Sequence, residues 1–130
     1  MRNFLFLTLL LTCTTGCVKK VDILSTEAPE FKNSKQEWVK YFKDVDSVYM
    51  YYSFEHIQGI FKNESNAIIH MDIFLDTLNG KIDKNLEYNQ SQVQKAIESE
   101  IINHDKFNKI KTKYHDHQGK WIRTFENPKE

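Results

Sequence analysis

Three histidines and an aspartate are the side chains in this sequence whose types and spacing suit metal binding. His115 and His117 are separated by one residue, and residues at i and i+2 of a strand lie on the same face. His70 and Asp72 have the same spacing, and imidazole and carboxylate groups are both zinc ligands. One hypothesis is therefore a small-ligand or metal-binding protein that uses His70, His115 and His117. The simpler alternative is that residues 115–118 form a polar hairpin turn in water.

Asp72 and Asp76 are candidates for paired acid–base catalysis. On an extended strand, their Cβ atoms would be about 13 Å apart, which exceeds the separation of paired catalytic carboxylates. The chain has neither a serine or cysteine nucleophile motif nor a glycine-rich phosphate loop, and it has four glycines in all. The sequence therefore predicts a protein that is not an enzyme and that uses no cofactor.

Aromatic residues form a second candidate site. The chain has nine Phe, six Tyr and two Trp. If helices cover only one face of a sheet, some of these side chains lie on its open face, where Tyr and Trp are efficient binding anchors. The residues that alternation predicts for such a surface are Tyr49, Tyr51, Phe74 and Trp121. The alternative is that a second layer covers them.

A row of lysines, Lys109, Lys111 and Lys113, shares one face of a later segment. We interpret it as the solvated face of an edge strand, where charge opposes sheet-to-sheet aggregation. The alternative is that this row steers an acidic partner or anionic lipid headgroups toward the protein.

Alternation of apolar and polar residues predicts the strands that carry these side chains. Residues 47–61 and 67–77 are expected to form one hairpin, and residues 107–115 and 121–125 another. A weaker strand is expected at 81–88, after the Asn-Gly turn signal.

Two segments have helical rather than strand periodicity. Residues 34–44 and 91–104 each begin with a capping-box pattern, and each places apolar residues on one helical face. Together with the strands, they give the order α-β-β-(β)-α-β-β. We therefore expect an α+β fold, an antiparallel sheet of four to five strands in two hairpins with two helices packed on it.

The beginning of the chain has the composition of an export signal. Arg2 precedes an apolar run from Phe4 to Leu11. This run is far shorter than the roughly 20 residues needed to span a bilayer, but it has the length of the apolar part of a secretory signal. Small residues and Cys17 follow. A thiol is the nucleophilic side chain that can carry a stable thioether to lipid.

Thr14-Thr15-Gly16-Cys17 resembles the lipobox of bacterial lipoproteins. The resemblance covers residues 1–17 and implies that Cys17 is joined to a diacylglycerol, that residues 1–16 are removed and that the new amino terminus is acylated. The family prefers Leu where this chain has Thr14. Cys13, in Leu10-Leu11-Thr12-Cys13, is the rival anchor, and an ordinary secretory signal is a further alternative.

The resemblance implies a domain organisation and a cellular location for the protein. Residues 1–16 would be the signal peptide, 17–33 the lipidated cysteine and a flexible tether, and 34–130 a single domain. Val18 follows the cysteine rather than the Asp that commonly retains lipoproteins in the inner membrane. This implies the outer membrane, facing the periplasm, or the outer surface of the cell membrane in a Gram-positive cell.

Charge and size limit the classes of partner. Among the charged residues, the signal peptide contains only Arg2, so the mature chain has 17 basic and 18 acidic residues instead of 18 of each. This near balance argues against nucleic acid as a ligand. We therefore expect a lipid-anchored, non-enzymatic protein-binding module, either an accessory subunit of the envelope or an inhibitor or immunity-type protein.

Overall fold

The computed structural model describes residues 27–76 and 82–128, which contain four strands and one α-helix. The predicted signal peptide (residues 1–16) and residues 17–26 of the predicted tether, including Cys17, lie outside the described residues. The elements are β1 (Val45–Gln58), β2 (Asn63–Leu75), α1 (Ile82–Glu100), β3 (Lys109–His115) and β4 (Trp121–Pro128).

The strands form one mixed sheet in the order β1-β2-β3-β4. β1 and β2 are antiparallel, as are β3 and β4, so both predicted hairpins are present. β2 and β3 are parallel neighbours, joined through α1, because parallel strands need a long crossover. The fold class predicted from the sequence is therefore wrong. The described chain is mostly β with one α-helix, not an antiparallel sheet with two helices.

The predicted weak strand at 81–88 is the first half of α1. The periodicity of this segment is hidden because the buried helical position between Leu86 and Val93 is a polar residue, Asn89. Asn89 accepts a hydrogen bond from the Lys43 amide (2.8 Å) and donates one to the Lys43 carbonyl (3.0 Å). Ser91, taken as a helix cap, instead donates its hydroxyl to the Tyr88 carbonyl (2.6 Å) within the helix. The helix therefore begins well before residue 91.

The predicted helix at 34–44 is also wrong, because only Trp38–Tyr41 make a 3₁₀ turn. Glu37 makes no side-chain capping bond, Phe42 is extended, and Asp44 has a positive φ of 53°. The helical spacing of apolar residues did predict burial correctly. Trp38 is buried, and the neighbouring apolar side chains pack against the core without a continuous helix.

The hydrophobic core lies between α1 and one face of the sheet. Alternate β2 residues, such as Ile69, Met71 and Ile73, are fully buried and face the buried side chains of α1. From β3, Tyr114 enters the same core and donates its hydroxyl to Gln90 of α1 (3.1 Å). In the described ranges, no helix has the length and hydrophobicity needed to cross a membrane.

Residues 27–33, which the sequence assigns to the tether, lie against the end of α1. The Asn103 side chain accepts a hydrogen bond from the Glu30 amide (2.8 Å) and donates one to the Ala28 carbonyl (3.0 Å). Phe31 forms a β-bridge with Ile101. This attachment fixes the point at which the chain enters the domain.

Candidate functional site

The face of the sheet opposite α1 is the candidate site, and we call it the open face. Among the described residues, no helix packs on it. Its aromatic side chains are Tyr49 and Tyr51 from β1, His70 and Phe74 from β2, His115 from β3 and Trp121 from β4. The structure thus places all four aromatic residues of the predicted binding surface on one face of the sheet.

Four of these rings form an aromatic row, with one residue from each strand: Tyr49, Phe74, His115 and Trp121. The ring of Tyr49 meets Phe74 edge to face (centroids 5.7 Å apart), and Phe74 stacks on His115 (4.6 Å, 14° between planes). His115 and Trp121 are cross-strand partners. Since strands lie about 4.8 Å apart, the row is roughly 14 Å wide. Its two ends, Tyr49 and Trp121, are the most exposed, at 62% and 61%.

A second pair of rings lies farther along the same strands. Tyr51 stacks on His70 with ring centroids 4.5 Å apart and planes 4° apart. The Ser53 hydroxyl lies 2.7 Å from His70 Nε2, within hydrogen-bonding distance. Burial is the main cause that lowers the pKa of His70, and the positive charges of Lys111 and Lys113 lower it further. The imidazole is therefore held in its neutral form at pH 7.

Between and beside these rings the open face is charged. Lys109 lies 3.3 Å from Glu64, and Lys111 lies 3.6 Å from Glu126. Lys113, whose Cα neighbour across the sheet is Asp72, makes no ion pair with a described residue. The lysine row is on an interior strand of the sheet, so its interpretation as an edge-strand face is wrong. It instead places positive charge at the middle of the open face.

Several polar atoms on the open face are buried without a hydrogen-bond partner in the described part of the chain: His70 Nδ1, Asp72 Oδ1 and both ring nitrogens of His115. His115 Nε2 and Asp72 Oδ1 are 3.7 Å apart, which is too far for a hydrogen bond. Buried polar groups in proteins are normally satisfied by protein, water or ligand. These atoms are buried, so a molecule that contacts this face can bond to them only if the side chains that cover them move.

The structure does not bring His70, His115 and His117 together as a metal site. His70 lies opposite Lys111, four strand positions from His115, or about 13 Å along the sheet. His117 is in the exposed turn between β3 and β4. Within residues 27–76 and 82–128, no three His, Cys, Asp or Glu side chains are close enough to hold a metal ion.

A serine beside a histidine also raises the question of nucleophilic catalysis. Such a serine needs its histidine oriented by a third group at the second ring nitrogen, and His70 Nδ1 has no such acceptor among the described residues. The Ser53–His70 contact joins two side chains on the paired strands β1 and β2.

Sequence reasoning missed His115 as part of the aromatic row and Ser53 as the partner of His70. Because His115 continues the alternation of the three lysines, the sequence could have placed it on their face of the strand. Its contact with Phe74 could not be predicted, because it depends on the parallel register of β2 and β3. Comparison of the chain with protein-family models, with curated proteins and with solved structures found no match to any of them.

Proposed function

We propose that this protein is a lipid-anchored protein of the cell envelope that binds a protein partner through the open face and catalyses no reaction. The observation that carries the proposal is the aromatic row with the Tyr51–His70 stack, on a face that no described helix covers. Beside these rings lies Lys113, which makes no ion pair with a described residue. Exposed Tyr and Trp side chains bury a large area at a small entropic cost, and they dominate the energetics of many interfaces.

The chemistry of the open face describes the partner that it fits. Tyr49, Tyr51 and Trp121 offer apolar contact at the two sides of the sheet. Lys113, on β3, offers a positive charge between them. A matching surface would present apolar side chains around a carboxylate. Since water is excluded at the centre of an interface, a carboxylate paired there discriminates strongly against uncharged partners.

The open face is smaller than a typical protein interface, so we expect it to form the central part of one. Four strands and about six residues of length give roughly 14 Å by 20 Å, or about 300 Å². Stable complexes bury about 800 Å² on each partner. The partner therefore also contacts the outer side of β1 or β4.

The lipid anchor belongs to the same proposal. Cys17, in its lipobox-like context, would hold the mature chain at the outer membrane, facing the periplasm, or at the cell surface of a Gram-positive cell. An accessory subunit or an inhibitor or immunity-type protein of the envelope would work from that position.

The test is capture of the partner by variants of the full precursor in its native host. Proteins carrying a carboxy-terminal tag are crosslinked, solubilised in detergent and purified with their partners. We expect one stoichiometric protein with the wild type, and at least 30-fold weaker capture with Tyr51→Ala or Trp121→Ala, since hot-spot residues contribute at least about 2 kcal/mol each. Tyr88→Ala is the matched control, because this tyrosine is 49% exposed on the helix instead.

Equal loss with all three variants, or capture of no protein at all, would contradict binding through the open face. Stoichiometric metal binding that disappears in a His115→Ala, His117→Ala double variant would favour the metal hypothesis instead. Cys17→Ala tests the anchor separately. If that variant still fractionates with membranes as a lipidated species, the anchor is Cys13.

A further inference from the structure

The β1–β2 hairpin extends far beyond the rest of the sheet. β3 begins at Lys109, opposite Ile68, whereas β1 and β2 remain paired out to Gln58 and Asn63. Residues 54–67 therefore form an arm that projects past the start of β3, and we call it the hairpin arm. Its base is held by Asn108, which bonds to the backbone of Ser65 and Ala67. From Ile68 to Asn63 the arm projects about 17 Å before the turn is counted.

The tip of the hairpin arm consists of two large apolar side chains in solvent. Ile60 is 94% exposed and Phe61 is 99% exposed, the highest values among the large hydrophobic residues described. The Gly59 amide donates a hydrogen bond to the Lys62 carbonyl (2.7 Å), which closes the turn and presents these two residues at its end. Neither side chain stabilises the fold, so the exposed pair points to a contact with another apolar phase.

The amino-terminal segment enters the domain at the end from which the hairpin arm projects. Glu27 forms an ion pair with Lys106, in the loop before β3. In the same loop, Asn108 bonds through its amide to the Ala67 carbonyl (3.0 Å), and Ala67 lies at the base of the arm. The chain that leads back to Cys17 and the apolar tip therefore lie at one end of the sheet.

We propose that the tip of the hairpin arm inserts Ile60 and Phe61 into the surface of the membrane that holds the Cys17 lipid. This inference rests on the lipid anchor of the proposed function. Even fully extended, residues 17–27 span at most about 35 Å. The hairpin arm is about 17 Å long, which is about half of that length. The tip can therefore touch the bilayer when this segment spans no more than about half of its full length.

The charges near the tip suit a lipid surface. Lys62 follows the apolar pair and is paired with Glu64, so these two charges cancel and can lie at the level of the headgroups while the apolar side chains lie deeper. The nearby acidic residue Glu64 lies 2.5 Å from Lys62 and 3.3 Å from Lys109. Hydrogen bonds from these two lysines, that of Lys62 being the larger cause, lower the pKa of Glu64 to about 2. Its negative charge is therefore compensated by Lys62 of the arm and by Lys109 of β3.

Membrane contact at the tip would also orient the open face. The strands run along the arm, so a membrane at the tip lies across the ends of the strands. The open face would then stand upright on the membrane, with its aromatic row pointing sideways, where a partner in the aqueous compartment can reach it.

The test uses the mature lipoprotein purified from membranes, in which a lipidated Cys17 leaves no free thiol. Phe61→Cys is labelled with a fluorophore sensitive to water, and the protein is reconstituted into vesicles of phosphatidylethanolamine and phosphatidylglycerol. Gln118→Cys is the matched control, because it lies in the exposed turn at the opposite end of the sheet. We expect emission at shorter wavelength and quenching by acyl-chain quenchers at position 61, and several-fold less quenching at position 118.

Equal, water-like emission at both positions would overturn the proposal, as would a label at position 61 that is shielded only when a captured protein is present. Mass spectrometry of the same sample reports the anchor, since an unmodified Cys17 would appear as a second free thiol. An Ile60→Ser, Phe61→Ser double variant separates this inference from the proposed function. It should lose the lipid contact of the tip and still capture the partner that Tyr51→Ala loses.

Discussion

His70 should make the free energy of unfolding depend on pH, and the substitution His70→Gln should remove this part of the dependence. The side chain is 9% exposed, stacked on Tyr51 and in contact with the Ser53 hydroxyl. Burial, and then Lys111 and Lys113, lower its pKa in the folded state, while Glu55 and Asp72 oppose this effect. An unfolded histidine has a pKa of about 6.5. Below pH 6.5 the unfolded chain therefore binds more protons, so this contribution to stability is present above pH 6.5 and is lost as the pH falls.

The size of the effect follows from proton linkage. One proton bound only by the unfolded chain changes the free energy of unfolding by about 1.4 kcal/mol for each pH unit. This figure is an upper bound for each unit below pH 6.5. Burial and the nearby lysines lower the pKa of His70, so we expect an effect of this sign that lies below this bound.

The assay is urea unfolding followed by circular dichroism at pH 7.5 and pH 5.5. His70→Gln should lose less stability between the two pH values than the wild type does, by at most about 1.4 kcal/mol. His56→Gln is the control, because this histidine is exposed and lies on β1 of the same hairpin. If His70→Gln and the wild type show the same loss, the burial of a neutral imidazole on the open face does not limit stability, and the reasoning is refuted.

Two further predictions concern the attachment of α1 to the rest of the chain. Glu100, 1% exposed, accepts hydrogen bonds from Lys40 (2.8 Å) and Tyr41 (2.7 Å), and chiefly Lys40 lowers its pKa. Its contribution to stability should disappear as the pH falls below about 4.5, and Glu100→Gln should flatten acid unfolding curves in that range. Asn89→Ala removes both bonds to the Lys43 backbone and should destabilise the fold by about 2 kcal/mol, measured by urea unfolding, whereas Ser91→Ala should cost far less.

The strands could be predicted from the sequence, but their arrangement could not. Alternation located both hairpins because each strand has one buried face. Which strand of one hairpin lies beside the other is a tertiary choice that no local pattern records. One signal was present, since Ala67, Ile68 and Ile69 are consecutive apolar residues and all are buried. Such a run is typical of a strand whose side chains are buried on both faces of the sheet, as those of parallel strands usually are.

The candidate site, too, could be predicted from the sequence only where local alternation determines it. Alternation placed Tyr49 and Tyr51 on one face, and the structure brings Phe74 and Trp121 to that face. His115 was interpreted as a metal ligand because its spacing to His117 was the visible feature. Its stacking on Phe74 depends on the register between β2 and β3, which is fixed by the packing of α1. The first half of that helix was not predicted, because Asn89 and Ser91 are polar and interrupt its pattern of apolar residues.

The strand order makes a last prediction about how the open face binds. Tyr51 on β1 and Trp121 on β4 lie on the two outer strands, at least about 14 Å apart, so they contact separate parts of a partner. Effects of substitutions at such distances normally add, whereas stacked residues couple. Affinity losses from Tyr51→Ala and Trp121→Ala should therefore sum within about 0.5 kcal/mol in calorimetric titrations with the captured partner. Tyr51→Ala and His70→Ala should sum to more than the loss of their double variant, because either substitution already breaks the stack. Additivity in the second pair and coupling in the first would mean that the partner does not span the sheet.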